Sequence, residues 1–260
     1  MPPSYHARLP AAAGIFVGTL LCTLAAPVRA AAQSPPNEHS PFAGDASFGL
    51  TVTEGNSQTL SLNFGGRISY VVDKHTWAFS TNVLRTRDGG DVKANKGNVA
   101  LRYDYEPSDR IYVTSQMAAS YNRPAGIDRR LSPGLGIGYD IVRAETTRLS
   151  LDGGLNWVGE RFTDDTRESS VYFKLSQEFR LRVNETTDLA QRLSYSPRPE
   201  NLSDYLIQGS LTLTTKVWKL LGIKTEISDD YDSTPFIDPD TGIARSSNDL
   251  TFITGLSVSF

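Results

Sequence analysis

Residues 250–260 read LTFITGLSVSF. Leu250, Phe252, Leu256, Val258 and Phe260 share one parity, and Thr251, Gly255, Ser257 and Ser259 the other. A period of two marks a strand with one greasy face. The same alternation runs back to Asp45. Phe48, Leu50 and Val52 mark a first strand, Leu60 to Tyr70 a second, Trp77 to Val83 a third and Val99 to Tyr105 a fourth. Ile111 to Tyr121, Leu131 to Ile141, Leu149 to Trp157 and Val171 to Leu181 mark the next four. Leu189 to Tyr195, Tyr205 to Val217 and Leu221 to Tyr231 precede the stretch quoted above, which is the twelfth.

An even count suits a closed antiparallel barrel with both ends on one side of a membrane. The links VDKH, EPSD, RAETT, NET and WK are short. TRDGGDVKANK, NRPAGIDRR, GERFTDDTRE, SPRPENLS and DSTPFIDPDTGIARSSN, which alternate with them, read as longer loops; EGN after the first strand is the exception. Tyr70, Trp77, Tyr103, Tyr105, Tyr139 and Phe260 lie at the short-turn ends, and Tyr121, Trp157, Tyr195, Tyr205 and Tyr231 at the long-loop ends. Two aromatic belts on one face are what amphipathic rings favour at the two interfaces of a bilayer. The expected fold is all-β, a transmembrane antiparallel barrel of about twelve strands with short periplasmic turns and longer extracellular loops.

The rest of the chain precedes this barrel. Only 39% of residues are apolar, and one early run, AAAGIFVGTLLCTLAA, is apolar for long. It follows Arg8, ends in small residues and reads as a secretory signal over residues 1–32, with the mature start near Ala31 or Gln33. The single cysteine, Cys22, lies inside it behind Leu21, which argues against lipidation; the mature chain then has no disulfide or thiolate metal site. Removing the signal takes Arg8 and Arg29 from the 26 bases and none of the 29 acids, for a net charge near −5. Such mild acidity gives no support to nucleic-acid binding. Residues 33–44, QSPPNEHSPFAG, read as a Pro-rich polar segment, and residues 45–260 as the barrel.

A final strand that closes on Phe260, with Leu256 and Val258 on the same face, resembles the C-terminal assembly signature of bacterial outer-membrane barrels. The resemblance implies export to the outer membrane through the barrel-assembly machinery, with the last strand sealed against the first. TEGNSQT at 53–59, DYDSTP at 230–235 and GLSVSF at 255–260 together resemble the YdiY-like family, which includes proteins called salt-induced outer-membrane proteins. This likeness spans about 45–260. The family often opens its first strand with Trp, where this chain has Ala46-Ser47-Phe48. It implies location and fold, and carries no catalytic residue across.

The polar parity lists the lumen. Its bases are Arg67, Arg102, Arg110, Arg148, Lys174, Arg180, Arg182, Arg192, Lys216 and Lys224. Its acids are Asp104, Asp140, Asp152, Glu178, Asp188, Asp204, Glu226, Asp230 and Asp249. So balanced a set supports either cross-strand ion-pair ladders that fill the barrel or opposed charged walls around a small pore. Lys174, Arg180, Arg182 and Arg192 share one wall across NET, so an open pore should weakly prefer anions. Gly134, Gly136 and Gly138 leave room for long side chains from across the barrel, or ease curvature. Gln177 and Gln191 break the greasy face and are placed to satisfy each other.

Catalysis is not expected. His6, His39 and His75 fall in the signal, the Pro-rich segment and a short turn, so no imidazole is placed near the long loops. Asp238 and Asp240 in DPDTG are a weak cation candidate without the spacing of a calcium loop. No cofactor is expected. The expected partners are the bilayer and lipopolysaccharide, and the expected state is a monomer. The two functional readings are a small passive pore or envelope structural protein, and a binding protein that uses its outer loops.

Overall fold

The computed structural model describes residues 41–53, 59–239 and 241–260. The signal, most of the Pro-rich segment, the middle of TEGNSQT and Asp240 lie outside the described residues. Twelve strands follow one another: β1 (Phe42–Thr53), β2 (Thr59–Val72), β3 (His75–Asp88), β4 (Asp91–Tyr105), β5 (Ile111–Asn122), β6 (Ile127–Arg143), β7 (Thr147–Phe162), β8 (Arg167–Arg182), β9 (Thr187–Arg198), β10 (Asn201–Trp218), β11 (Leu221–Asp232) and β12 (Asn248–Ser259). Each pairs antiparallel with its sequence neighbours, and β12 pairs with β1 to close the barrel. β1 begins at Phe42, upstream of the boundary read at Asp45.

Alternation sets the two faces. Leu135, Phe252 and Leu256 point outward and are 66%, 66% and 67% exposed. Ser47, Asn63, Thr114, Asp140, Thr251 and Ser257 point inward and are buried. Burying such apolar side chains away from water is worth about 1.5–3 kcal/mol each, and an apolar exterior around a polar interior is the arrangement of membrane barrels. Both aromatic belts form on the outer face. Trp77 and Tyr103 lie 4.4 Å apart and Phe42 and Tyr70 4.6 Å apart at the short-turn end. Tyr205 lies between Tyr195 (5.7 Å) and Tyr231 (5.8 Å) at the other.

The longer connections are largely built as strand. Roughly 9–11 tilted residues cross a bilayer, whereas β10 has 18 and β6 has 17. TRDGGDVKANK continues β3 and β4 up to a turn at Gly89 and Gly90, whose φ angles of 58° and 91° suit a tight hairpin. NRPAGIDRR, GERFTDDTRE and SPRPENLS likewise continue their strands, and their paired hairpins stand above the apolar belt. Residues 233–247 remain a long connection, tied by the isolated bridge Ile237–Ala244.

The seam is short. Asp45, Ala46, Ser47 and Phe48 pair with Ser259, Val258, Ser257 and Leu256. Gly44 and Phe260 then exchange backbone hydrogen bonds of 2.9 and 3.0 Å. The Phe260 ring lies over Gly44, where a Cβ would sit 2.7 Å from its Cζ. This is one place where only glycine fits.

Candidate functional site

The inward parity lines a lumen crossed by side chains at three levels. Near the long-loop end, Lys96 of β4 donates to Asp249 Oδ2 (3.0 Å) and Thr251 Oγ1 (2.7 Å) of β12, and Asn122 of β5 donates to Asp249 Oδ2 (2.7 Å). β4 and β5 are four and five strands from β12, so these bonds span the interior. Arg130 Nε meets Glu160 at 2.6 Å, and Arg198 meets Asp204 at 2.7 Å and Ser170. At mid-height, Lys174 donates to Gln116 across the lumen (3.2 Å), and nearer the short-turn end of β4 Arg102 holds Asp104 at 2.8 Å. Asp152 lies within electrostatic range of both Arg102 and Lys174.

The third level, toward the short-turn end, concentrates cations. Glu178 Oε1 accepts from Arg180 (2.7 Å) on its own strand and from Arg192 (3.0 Å) on β9. Arg67, on β2 directly across the barrel, lies within electrostatic range of Arg192, Arg180 and Glu178. The cross-strand neighbour of Arg67 is Asp45, which Lys224 engages at 3.4 Å; Glu226 is 3.9 Å from Lys224 and accepts from Thr212 at 3.3 Å. Three guanidiniums thus surround Glu178, and Lys224 shares Asp45 with Arg67; Asp152, within electrostatic range of Glu178, lies at similar height on β7. Between Ser47, Asn63, Asn82, Lys224, Glu226 and Ile253 lies a cavity of about 10 Å³, room for about one water.

Lys174, Arg180, Arg182 and Arg192 lie on β8 and β9 together with carboxylates. Glu178 sits between two of them and Asp188 lies 3.7 Å from Arg182. Asp140 is 1% exposed and bonds Arg148 at 3.0 Å beside a bulge in β6. Two sequence expectations are corrected. The room at Gly138 and Gly134 is filled from adjacent strands, by Tyr112 and by Gln116 and Asn156, because these residues are their direct cross-strand partners. Gln177 and Gln191 lie diagonally, paired with Leu193 and Phe179, and Gln177 Oε1 is buried without a hydrogen bond among the described residues.

Lys96, Arg130, Glu160 and Arg198 escape the sequence reading because their segments read as loops. The signal was present: the parity of Val99 and Leu101 extends back through Gly97 and Asn95, and that of Leu131 back to Arg129. Glycine and polar outward residues hid it.

At the mouth, the 233–247 connection crosses the opening. Thr234 donates to Asp204 Oδ1 (3.1 Å), and the Phe236 ring stacks on Phe162 of β7 at 4.9 Å. Phe236 also lies against Gly126, whose φ of 81° turns the β5–β6 link beneath it. Asp238 is bonded to Arg245 at 2.8 Å, and its proposed companion Asp240 lies outside the described residues. His75 faces outward at the short-turn end, bonded to the Tyr103 hydroxyl (2.8 Å), away from every charged level of the lumen.

The profile of the family described as "Protein of unknown function, DUF481" matches residues 46–260. No curated protein matches the sequence. Among solved structures, the NanC porin aligns with a TM-score of 0.50 at 10% identity, over 84% of this chain and 100% of that one. The KdgM porin in complex with disordered oligogalacturonate aligns at 0.48 with 12% identity, over 84% and 99%. The translocator domain of the autotransporter NalP from Neisseria meningitidis aligns at 0.43 with 12% identity, over 84% and 87%. The first of these likenesses supports the fold.

Proposed function

We propose that this chain, which belongs to the DUF481 family, forms a narrow passive pore of the bacterial outer membrane, with a weak preference for small anions and no catalysis. The signal-like N-terminus and the apolar belt support export and that location. The strand overhang and the 233–247 connection support an outside orientation for the long-loop end. The porin fold is consistent with the reading, and the position of His75 supports the lack of catalysis.

One observation carries the reading. Three guanidiniums, Arg67, Arg180 and Arg192, crowd round Glu178 from both sides of the lumen, and Asp45 beside Arg67 is shared with Lys224. A ladder that only filled the barrel would balance its charges there. An excess of cation around Glu178 in a narrow polar lumen leaves countercharge to be supplied by a mobile anion.

The test is the reversal potential of the purified barrel in a planar bilayer under a potassium chloride gradient. A potential shifted toward chloride, and reduced in Arg67→Gln, is expected. A cation preference, or no conductance, would overturn the proposal.

A further inference from the structure

Outside the lumen, the long-loop end of the barrel carries a row of arginines. Arg129 of β6 pairs with Arg161 of β7, and Arg161 pairs with Arg167 of β8. All three lie on the outward parity. Directly opposed side chains have Cβ atoms about 4.5–5.5 Å apart, and like charges so placed destabilise the sheet. Asp165 bonds Arg161. Among the described residues, Arg129 and Arg167 have no ion pair. Asp128, within electrostatic range of Arg161, is itself paired with Arg123, so the row holds three guanidiniums against the one carboxylate bonded to it, Asp165.

Its height is fixed by the residues beneath it. One outward step below Arg161 is Gly159, on which the Trp157 indole lies. The indole N–H donates to Ser169 Oγ at 2.7 Å. An indole with an apolar face and a bonded N–H marks the membrane interface, so the row sits at headgroup level. Beside it, an outward groove of about 760 Å³ runs over β3–β6; Val83, Gly97, Val99, Ala119 and Tyr121 form its apolar part, and Asn95, Asn98, Ser120, Arg123, Asp128 and Arg129 its polar part. Its floor is low because Gly97 and Ala119 are small and the Tyr121 ring folds over Gly97.

We infer that this face binds one phosphorylated glycolipid of the outer leaflet, its phosphates on Arg129, Arg161 and Arg167 and an acyl chain in the groove. Guanidinium is the side chain best matched to phosphate, through paired N–H donors. A phosphate offsets the repulsion within the row. A free phosphate would leave the apolar part of the groove empty, so the occupant is a lipid. The inference holds whether or not the lumen conducts.

The test uses the full barrel in dodecyl maltoside and native mass spectrometry. Bisphosphorylated lipid A, the same lipid stripped of phosphate, and inorganic pyrophosphate are titrated separately. Wild type should retain one bisphosphorylated lipid. Arg129→Gln/Arg161→Gln/Arg167→Gln should weaken it by about tenfold or more, and should bind the stripped lipid no worse than wild type does. Ala119→Trp, which fills the groove, should weaken the lipid and leave pyrophosphate unaffected. Retention of the heat-modifiable band on gels checks folding, and Arg129→Gln alone serves if the triple variant does not fold. Equal binding of both lipids, equal binding by wild type and arginine variant, or a lipid affinity indifferent to Ala119→Trp would each overturn the inference.

Discussion

Glu178 is the residue on which the lumen's electrostatics turn. It takes two guanidiniums directly and faces a third from the opposite wall. Removing its charge leaves Arg180 and Arg192 without a partner, a loss of about 1–3 kcal/mol when hydrogen bonds to a charged group are broken. Glu178→Gln should therefore lower the thermal midpoint of the barrel and move the reversal potential further toward chloride. Arg192→Gln should move it the other way. Shifts of the same sign in both variants would mean that this level does not select ions. At the surface, Asp164 in the β7–β8 turn accepts from the Thr166 hydroxyl (2.6 Å) and N–H (2.9 Å), and these bonds hold its carboxyl below the usual range. A depressed carboxyl stabilises the turn above its unfolded pKa, and that contribution is lost as pH falls through the folded value. Hydrogen exchange at the Thr166 amide should accelerate only in strong acid, and Thr166→Ala should bring the onset to higher pH; an unchanged onset would sink the assignment.

Among the elements, the last strand was the most legible. Its parity gave the seam partner, and Phe48 does pair with Leu256. The aromatics of both belts were readable because period two fixes the face of each ring once one strand is placed. The strand ends were not readable. Gly97, Asn95 and Arg129 lie on the outward face beyond Val99 and Leu131, where the apolar belt of their strands ends, so the alternation fades while the hydrogen bonding continues. That is why Lys96, Arg130, Glu160 and Arg198 were missed as lumen residues. The fit of Phe260 onto Gly44 was hidden too, because only the structure shows the missing Cβ as the space for a ring. Gly44→Leu should displace that ring and reduce the heat-modifiable folded fraction in the membrane, as should deletion of Phe260. Normal yields of both would show that the seam does not depend on the contact. The β11–β12 connection makes a separate prediction. Phe236 crosses to Phe162 and Gly126, so Phe236→Ala should raise single-channel conductance without changing thermal stability by more than about 1 kcal/mol, since the ring packs at the mouth rather than in the core. Unchanged conductance would show that the connection does not obstruct the path.

At the scale of the whole molecule, charge is sorted along the barrel axis. Toward the long-loop end the lumen carries Glu160, Glu168, Asp204, Asp230, Asp232 and Asp249 against Lys96, Arg130 and Arg198. Toward the short-turn end it carries Arg67, Arg102, Arg148, Arg180, Arg182, Arg192, Lys216 and Lys224 against Asp45, Asp104, Asp140, Asp152, Glu178, Asp188 and Glu226. The overall balance seen in the sequence is real, but it conceals this gradient, because composition sums over height. A fixed dipole along a narrow path makes ions accumulate under one polarity and deplete under the other. The current–voltage curve in symmetric salt should therefore rectify. The effect should be strong near 0.1 M, where the Debye length is about 10 Å, and fade at 1 M, where it is about 3 Å and each wall charge is screened within its own neighbourhood. Replacing Asp230 and Asp249, which are direct cross-strand partners, with Asn should flatten the low-salt curve, because it removes two carboxylates from the acidic end. Rectification that survives 1 M salt would point to a mechanical cause such as movement of the 233–247 connection, and an ohmic curve at 0.1 M would show that the charge gradient does not reach the conducting path.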